Sequence, residues 1–98
     1  MRLLIQRCSS ACVTVDKREV GRIGKGLAVL VGIHEDDTDE DAKWCARKLV
    51  NIRLWPKDDG KKQWHESVVS KNFDLLLVSQ FTLHAKLKGN KPDFHYAM

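Results

Sequence analysis

Apolar residues cluster in RLLIQR (2–7) and CVTVD (12–16), both rich in aliphatic and β-branched side chains. This predicts two short strands separated by CSSA. The run LAVLVGI (27–33) is apolar throughout and reads as a third, fully buried strand. From Thr38 the period changes. Ala42, Cys45, Ala46, Leu49 and Ile52 or Arg53 recur at helical spacing, so one stripe of a helix faces the core. Thr38 is its expected N-cap, with Asp41 three residues on completing a capping box. NIRLWPKDDGKKQWHES (51–67) reads as a hairpin turning at Asp59–Gly60. FDLLLVSQ (73–80) is apolar at nearly every position and is expected to be the central strand. The order strand, strand, strand, helix, hairpin, strand is mixed α/β, of the α+β kind, with no repeated βα unit, no repeat and no linker.

Two segments invite sharper readings. GRIGKG (21–26) has glycines, but in the wrong order for a dinucleotide loop, and it leads into a strand rather than a helix. With no helix N-terminus there is no dipole aimed at a phosphate, so it is expected to connect strands. The acidic run EDDTDED (35–41) lacks the mid-loop glycine and closing glutamate of a calcium loop. Followed by Lys43, Arg47, Lys48 and Arg53, it instead complements a helix dipole.

The 98 residues bound the answer to one domain. A chain of this size buries roughly 60–70% of its unfolded surface. No apolar stretch reaches membrane-spanning length, and MRLLIQRCSS is too short and charged for a signal peptide, so an intracellular location is expected. Three cysteines give no complete disulfide framework, and four scattered histidines do not supply a metal site. The net charge of +4 admits a nucleic-acid or phosphate partner without requiring one.

The chemistry concentrates where the last long strand ends, in SQFT (79–82). A serine or threonine nucleophile needs a base and a group to orient it. His84 would share a strand face with Thr82, yet no acid lies near in sequence, and a Gly-x-Ser-x-Gly elbow is absent. Backbone N–H groups that lose their ladder partners at a strand end offer another mechanism, an oxyanion hole. Ser79 and Gln80 would then position substrate or water, with Phe81 as an apolar wall. The plainer alternative is that Ser79 and Thr82 only satisfy strand-end groups. Beyond them Lys86, Lys88 and Lys91 suit phosphates, and Phe94 or Tyr96 suits a base; a solvated basic loop fits equally.

SQFTL after an apolar strand, then KGNKPDF, with the opening QR…VTV…G…IG-x-GL-x-VLVGI, resembles the D-aminoacyl-tRNA deacylases, also called D-tyrosyl-tRNA deacylases. The resemblance runs through the whole chain and is nearest to eukaryotic members. It implies a twisted, barrel-like β-sheet fold. It also implies a cytoplasmic homodimer, without metal or organic cofactor, that hydrolyses the ester joining a D-amino acid, or mischarged glycine, to tRNA. The products are free amino acid and reusable tRNA. It assigns the catalytic region to Ser79, Gln80, Phe81 and Thr82, with backbone groups around Phe81 and Thr82 assisted by the RNA 2′-hydroxyl. Lys86, Lys88, Lys91 and Phe94 become candidate RNA contacts, and Arg7 a residue that braces the pocket or touches RNA. One departure stands out. The family's second motif, Asn-x-Gly-Pro-Val-Thr, rejects L-amino acids in the partner's site, and this sequence contains no Gly-Pro pair. A single, C-terminally incomplete domain over 1–98 is therefore expected: a truncated isoform, a piece, or an incomplete sequence. Such a chain is expected to be unstable or weakly active alone. The competing function is a non-catalytic RNA-binding or partner-binding fragment of the same fold.

Overall fold

A computed structural model describes residues 1–98. The chain runs through β1 (Arg2–Cys8), β2 (Ala11–Val15), β3 (Arg18–Ile23), β4 (Gly26–Gly32), α1 (Asp39–Asn51), β5 (Asp74–Ser79), a 3₁₀ turn (Phe81–His84), β6 (Lys86–Lys88) and β7 (Lys91–Asp93). The main sheet has the order β1-β4-β5, and β2-β3 and β6-β7 form two-stranded ribbons. β1 pairs antiparallel with β4, while β5 lies parallel to it, reached through α1 and the segment that follows.

The mixed α/β class expected from the pattern is the observed one, with two corrections. β4, not β5, is central: it pairs on both sides, whereas β5 has only β4 and leaves Leu77 57% exposed. Both strands are apolar runs, so composition does not distinguish them. Second, a strand that the pattern does not show, β3, takes in Gly21–Ile23 of GRIGKG, and Gly24 and Lys25 connect it to β4. The β2-β3 ribbon turns at Asp16 and Lys17, both with positive φ (50° and 64°), the conformation of a two-residue type I′ turn. Such turns favour Asn-Gly or Asp-Gly, and Asp-Lys carries no such signature.

The helix begins as its sequence predicts. Thr38 Oγ1 accepts from the Asp41 N–H, and the Asp41 carboxylate accepts the Thr38 N–H at 2.9 Å. Leu49 is its buried contact with the core. Fully buried Leu27 and Val29 of β4 meet Leu49, Trp55 and Val68, with Leu3, Ile5, Val31, Leu54, Phe73 and Leu75 packed around them. Full burial of side chains such as Leu27 and Val29 contributes about 1.5–3 kcal/mol each. The hairpin expected over 51–67 reduces to one rung, Trp55 opposite Glu66, which closes a loop turning at Gly60 (φ 71°).

Gly26 is required where β4 meets β5. A Cβ there would lie 2.0 Å from the Asp74 carbonyl oxygen. The two strands thus start in close register, and that register delivers Ser79 beside Val31 at the far end.

Candidate active site at the tip of β5

Ser79 makes the last rung of β5, and the Gln80 N–H extends the ladder by donating to the Val31 carbonyl at 2.7 Å. The chain then turns at once into the 3₁₀ segment. Its first internal bond runs from the Leu83 N–H to the Gln80 carbonyl at 3.2 Å. The N–H groups of Phe81 and Thr82 precede that bond, and the opening donors of any helix have no partner within it. Two backbone donors therefore stand together at the end of a parallel strand, on residues exposed to solvent.

The turn is clamped from behind. His84 is buried, and its Nε2–H donates to the Gly32 carbonyl at 3.1 Å. The Arg2 guanidinium donates to the Leu83 carbonyl at 2.7 Å. Gly32 leaves the room this needs, since a Cβ there would come within 2.7 Å of Leu83 Cβ. These supports escaped the sequence reading. The sequence pattern offers His84 only as a base sharing a strand face with Thr82; the 3₁₀ turn removes that alternation and gives its Nε2–H to a carbonyl.

Thr82 Oγ1 accepts from Gln80 Nε2 at 2.5 Å. No hydrogen bond joins Ser79 or Thr82 to a carboxylate or an imidazole, so neither hydroxyl has a base to activate it. Phe81 and Phe94 meet edge to face, with centroids 5.4 Å apart. That contact brings the β6-β7 ribbon against the tip and gives the site an apolar wall.

The basic residues divide. Lys88 and Lys91 line a cleft of about 450 Å³ with Pro92, Asp93 and His95. Lys86 instead sits over the Tyr96 ring at 4.5 Å. Tyr96 stacks on His34 at 5.7 Å, and His34 packs edge-on against His84 at 5.3 Å. Behind this stack, Asp37 accepts from the amino terminus and from the His34 N–H, each at 2.7 Å. Burial opposes ionisation of its carboxyl, but those two bonds and the amino-terminal charge outweigh it and hold the group below its ordinary range. Arg7 is not brought to the tip. It pairs with Leu27, four positions before Val31, and donates to the Leu54 carbonyl at 2.8 Å.

Sequence and structure comparisons agree on the relatives of this arrangement. The family profile described as D-Tyr-tRNA(Tyr) deacylase matches residues 4–98. A D-aminoacyl-tRNA deacylase of Dictyostelium discoideum is 49% identical over 98 residues, covering 100% of this chain and 65% of the relative. D-aminoacyl-tRNA deacylase 1 of Homo sapiens is 45% identical over the same span, which is 46% of its own length. A solved structure described as a c-Myc DNA unwinding element binding protein superposes with a TM-score of 0.93 at 45% identity, covering 100% of this chain and 65% of that one. Another, described as a probable eukaryotic D-amino acid tRNA deacylase, gives 0.75 at 23% identity over 98% of this chain and 56% of that one, a likeness of fold. The chain thus spans just under two thirds of the first of these relatives, and less than half of the human one.

Proposed function

The chain belongs to the D-Tyr-tRNA(Tyr) deacylase family, and on that premise we propose that it hydrolyses the ester between a D-amino acid and the 3′ end of a tRNA. The observation that carries this reading is the pair of unpartnered N–H groups at Phe81 and Thr82, held open at the end of β5.

Water adds to the acyl carbon, and the carbonyl oxygen gathers negative charge that the Phe81 and Thr82 N–H groups receive. Collapse breaks the bond to the ribose oxygen, which takes a proton and leaves on the RNA. The adjacent 2′-hydroxyl of the RNA assists, as the family resemblance implies. The acid keeps the water's oxygen. Ser79 and Gln80 position the substrate, and the Phe81–Phe94 wall excludes solvent from one side. One donor of this kind is worth about 3–4 kcal/mol in the transition state. Thr82 is assigned no covalent role because nothing removes its proton. Lys88 and Lys91 meet phosphates near the acceptor end, Lys86 contributes charge while held on Tyr96, and Phe94 stacks at the wall. No metal or organic cofactor is assigned.

A cytoplasmic location and, for the complete enzyme, a homodimer follow the family pattern. The unpaired outer edge of β5 with exposed Leu77 fits further association there. No helix of the chain is long and apolar enough to cross a membrane.

The test is release of D-tyrosine from D-tyrosyl-tRNA by the chain and by Thr82→Ala. Release above the buffer rate, retained within about tenfold by Thr82→Ala, is expected of backbone catalysis, since side-chain acid–base groups contribute about 10²–10⁴-fold where they operate. Abolished turnover in Thr82→Ala with RNA binding intact would assign the reaction to the hydroxyl. A second reading, nucleic-acid binding without hydrolysis, is favoured by the relative described as a DNA unwinding element binding protein. Salt-dependent tRNA binding with no ester release would establish it.

A further inference from the structure

A cleft at the other end of the main sheet takes no part in the chemistry just described. Two adjoining depressions, of about 400 and 210 Å³, share Lys25, Trp55 and Pro56 as a common wall. Arg7 lines the first; Lys57, Asp58 and Lys71 line the second. Four cations thus face one carboxylate, and that carboxylate is already engaged, because Asp58 pairs with Lys71. The bond raises the lysine's affinity for its proton and lowers that of the Asp58 carboxyl.

The remaining cations form no ion pair, although the Asp74 carboxylate lies close to Lys25, where it accepts the Gly24 N–H at 3.0 Å. The Arg7 guanidinium is held by the neutral Leu54 carbonyl, which orients it without neutralising it. Neither Lys25 nor Lys57 takes part in any of the chain's ion pairs. Packing adds to the concentration of charge: the ammonium groups of Lys25 and Lys71 lie 5.1 and 5.8 Å from the centre of the same Phe73 ring. Gathered cations repel one another and focus a positive potential into the cleft, a cost that an anion removes.

The loop that borders the cleft carries a second feature. After Lys61 and Lys62 comes Trp64, 66% exposed and with φ of 54°. A bulky residue adopts that left-handed conformation only when its surroundings impose it. Here the Trp55–Glu66 rung and the Lys57 N–H bond to the Lys62 carbonyl at 2.8 Å fix the loop on either side. The result is a large aromatic face in water on the same loop that carries Lys57, Lys61 and Lys62.

We infer that this cleft and loop form a binding surface for RNA, with Arg7, Lys25 and Lys57 on successive phosphates and Trp64 as a platform for an unpaired base. Spaced cations alone would equally suit an acidic protein; the exposed aromatic face on the loop that borders the cleft favours nucleic acid, whose bases stack on it. The inference rests on the deacylase reading only in identifying the RNA as the substrate's own tRNA. Four rungs of β4 separate Arg7 from the strand tip, about 13 Å at the usual rise, a span that one tRNA covers easily.

Fluorescence anisotropy of labelled, uncharged tRNA, titrated between about 50 and 200 mM salt, tests it without reference to ester hydrolysis. Lys25→Glu/Lys57→Glu should weaken binding at least tenfold at the low-salt end. The same pair should also reduce the slope of log K against log salt by about one per lysine. Lys43→Glu/Arg47→Glu, which makes the same charge change on exposed α1, should leave the slope at the parent value. Trp64→Ala should weaken binding about tenfold, with Trp64→Phe recovering most of it. Equal slopes and affinities for the two double variants would overturn the inference, as would displacement of the tRNA by polyglutamate as readily as by unlabelled tRNA. A chain that binds tRNA through this cleft but releases no amino acid would refute the deacylase reading and leave the cleft assignment standing.

Discussion

Gly32 illustrates how a single residue governs the site. It ends β4 under the 3₁₀ turn, and its missing side chain lets Leu83 and His84 close against the strand. A Cβ would meet Leu83 Cβ at 2.7 Å and the Gln80 carbonyl oxygen at 3.2 Å, both belonging to the turn that carries the donors. Gly32→Ala should therefore destabilise the chain by about 1–3 kcal/mol, the usual cost of overpacking. It should also lower ester turnover by more than stability alone explains, because the Phe81 and Thr82 N–H groups move with the turn. Thermal melting alongside turnover, measured where both proteins are fully folded, separates the two effects. Nothing in the sequence marks Gly32 for this task. It stands inside an apolar run, and its partners lie some fifty positions away.

At the scale of elements, most of the architecture was legible and the reasons for the failures are specific. The helix announced itself because Thr38 and Asp41 satisfy one another's backbone groups locally. β3 was hidden because its turn is Asp16–Lys17 and because the register shifts between Val13 and Thr14, breaking the alternation that would expose the ribbon. β5 looked central because it shares an apolar run with β4, and only pairing tells them apart. Of the site, SQFT was visible, while its clamps Arg2, Gly32 and His84 were not, since each acts through a long-range backbone bond or clearance. The connection between β4 and α1 offers a pH test. A carboxyl held below its ordinary range, near 3.9 in model compounds, stabilises the fold above that range and loses the contribution as pH falls through the folded value. Asp37→Asn should thus destabilise by about 1.5–3 kcal/mol near neutrality, typical of hydrogen bonds to a charged group. The gap to the parent should close in acid below about pH 4. Melts of both proteins across that interval check the sign.

Considered whole, the molecule carries the two proposed sites at opposite ends of the main sheet. One end of β4 and β5 presents backbone donors beside an aromatic wall, and the other presents unpaired cations. The net charge of +4 leaves a nucleic-acid partner open, and the inferred cleft would give that charge a place to act. The central claim remains the chemical one, that main-chain N–H groups at the strand tip stabilise the reacting ester. Phe81 allows it to be tested directly. Gln80 is already extended (φ −145°, ψ 91°), as a residue before proline must be, and proline is tolerated at the first position of a helix. Phe81→Ala removes the aromatic wall and keeps the N–H, whereas Phe81→Pro removes both. The measurement is single-turnover release of D-tyrosine from D-tyrosyl-tRNA by the parent chain and these two variants. The account predicts release by the parent and a rate for Phe81→Pro about 10²–10³-fold below that of Phe81→Ala. Equal rates for the two variants, or no release by the parent, would contradict it.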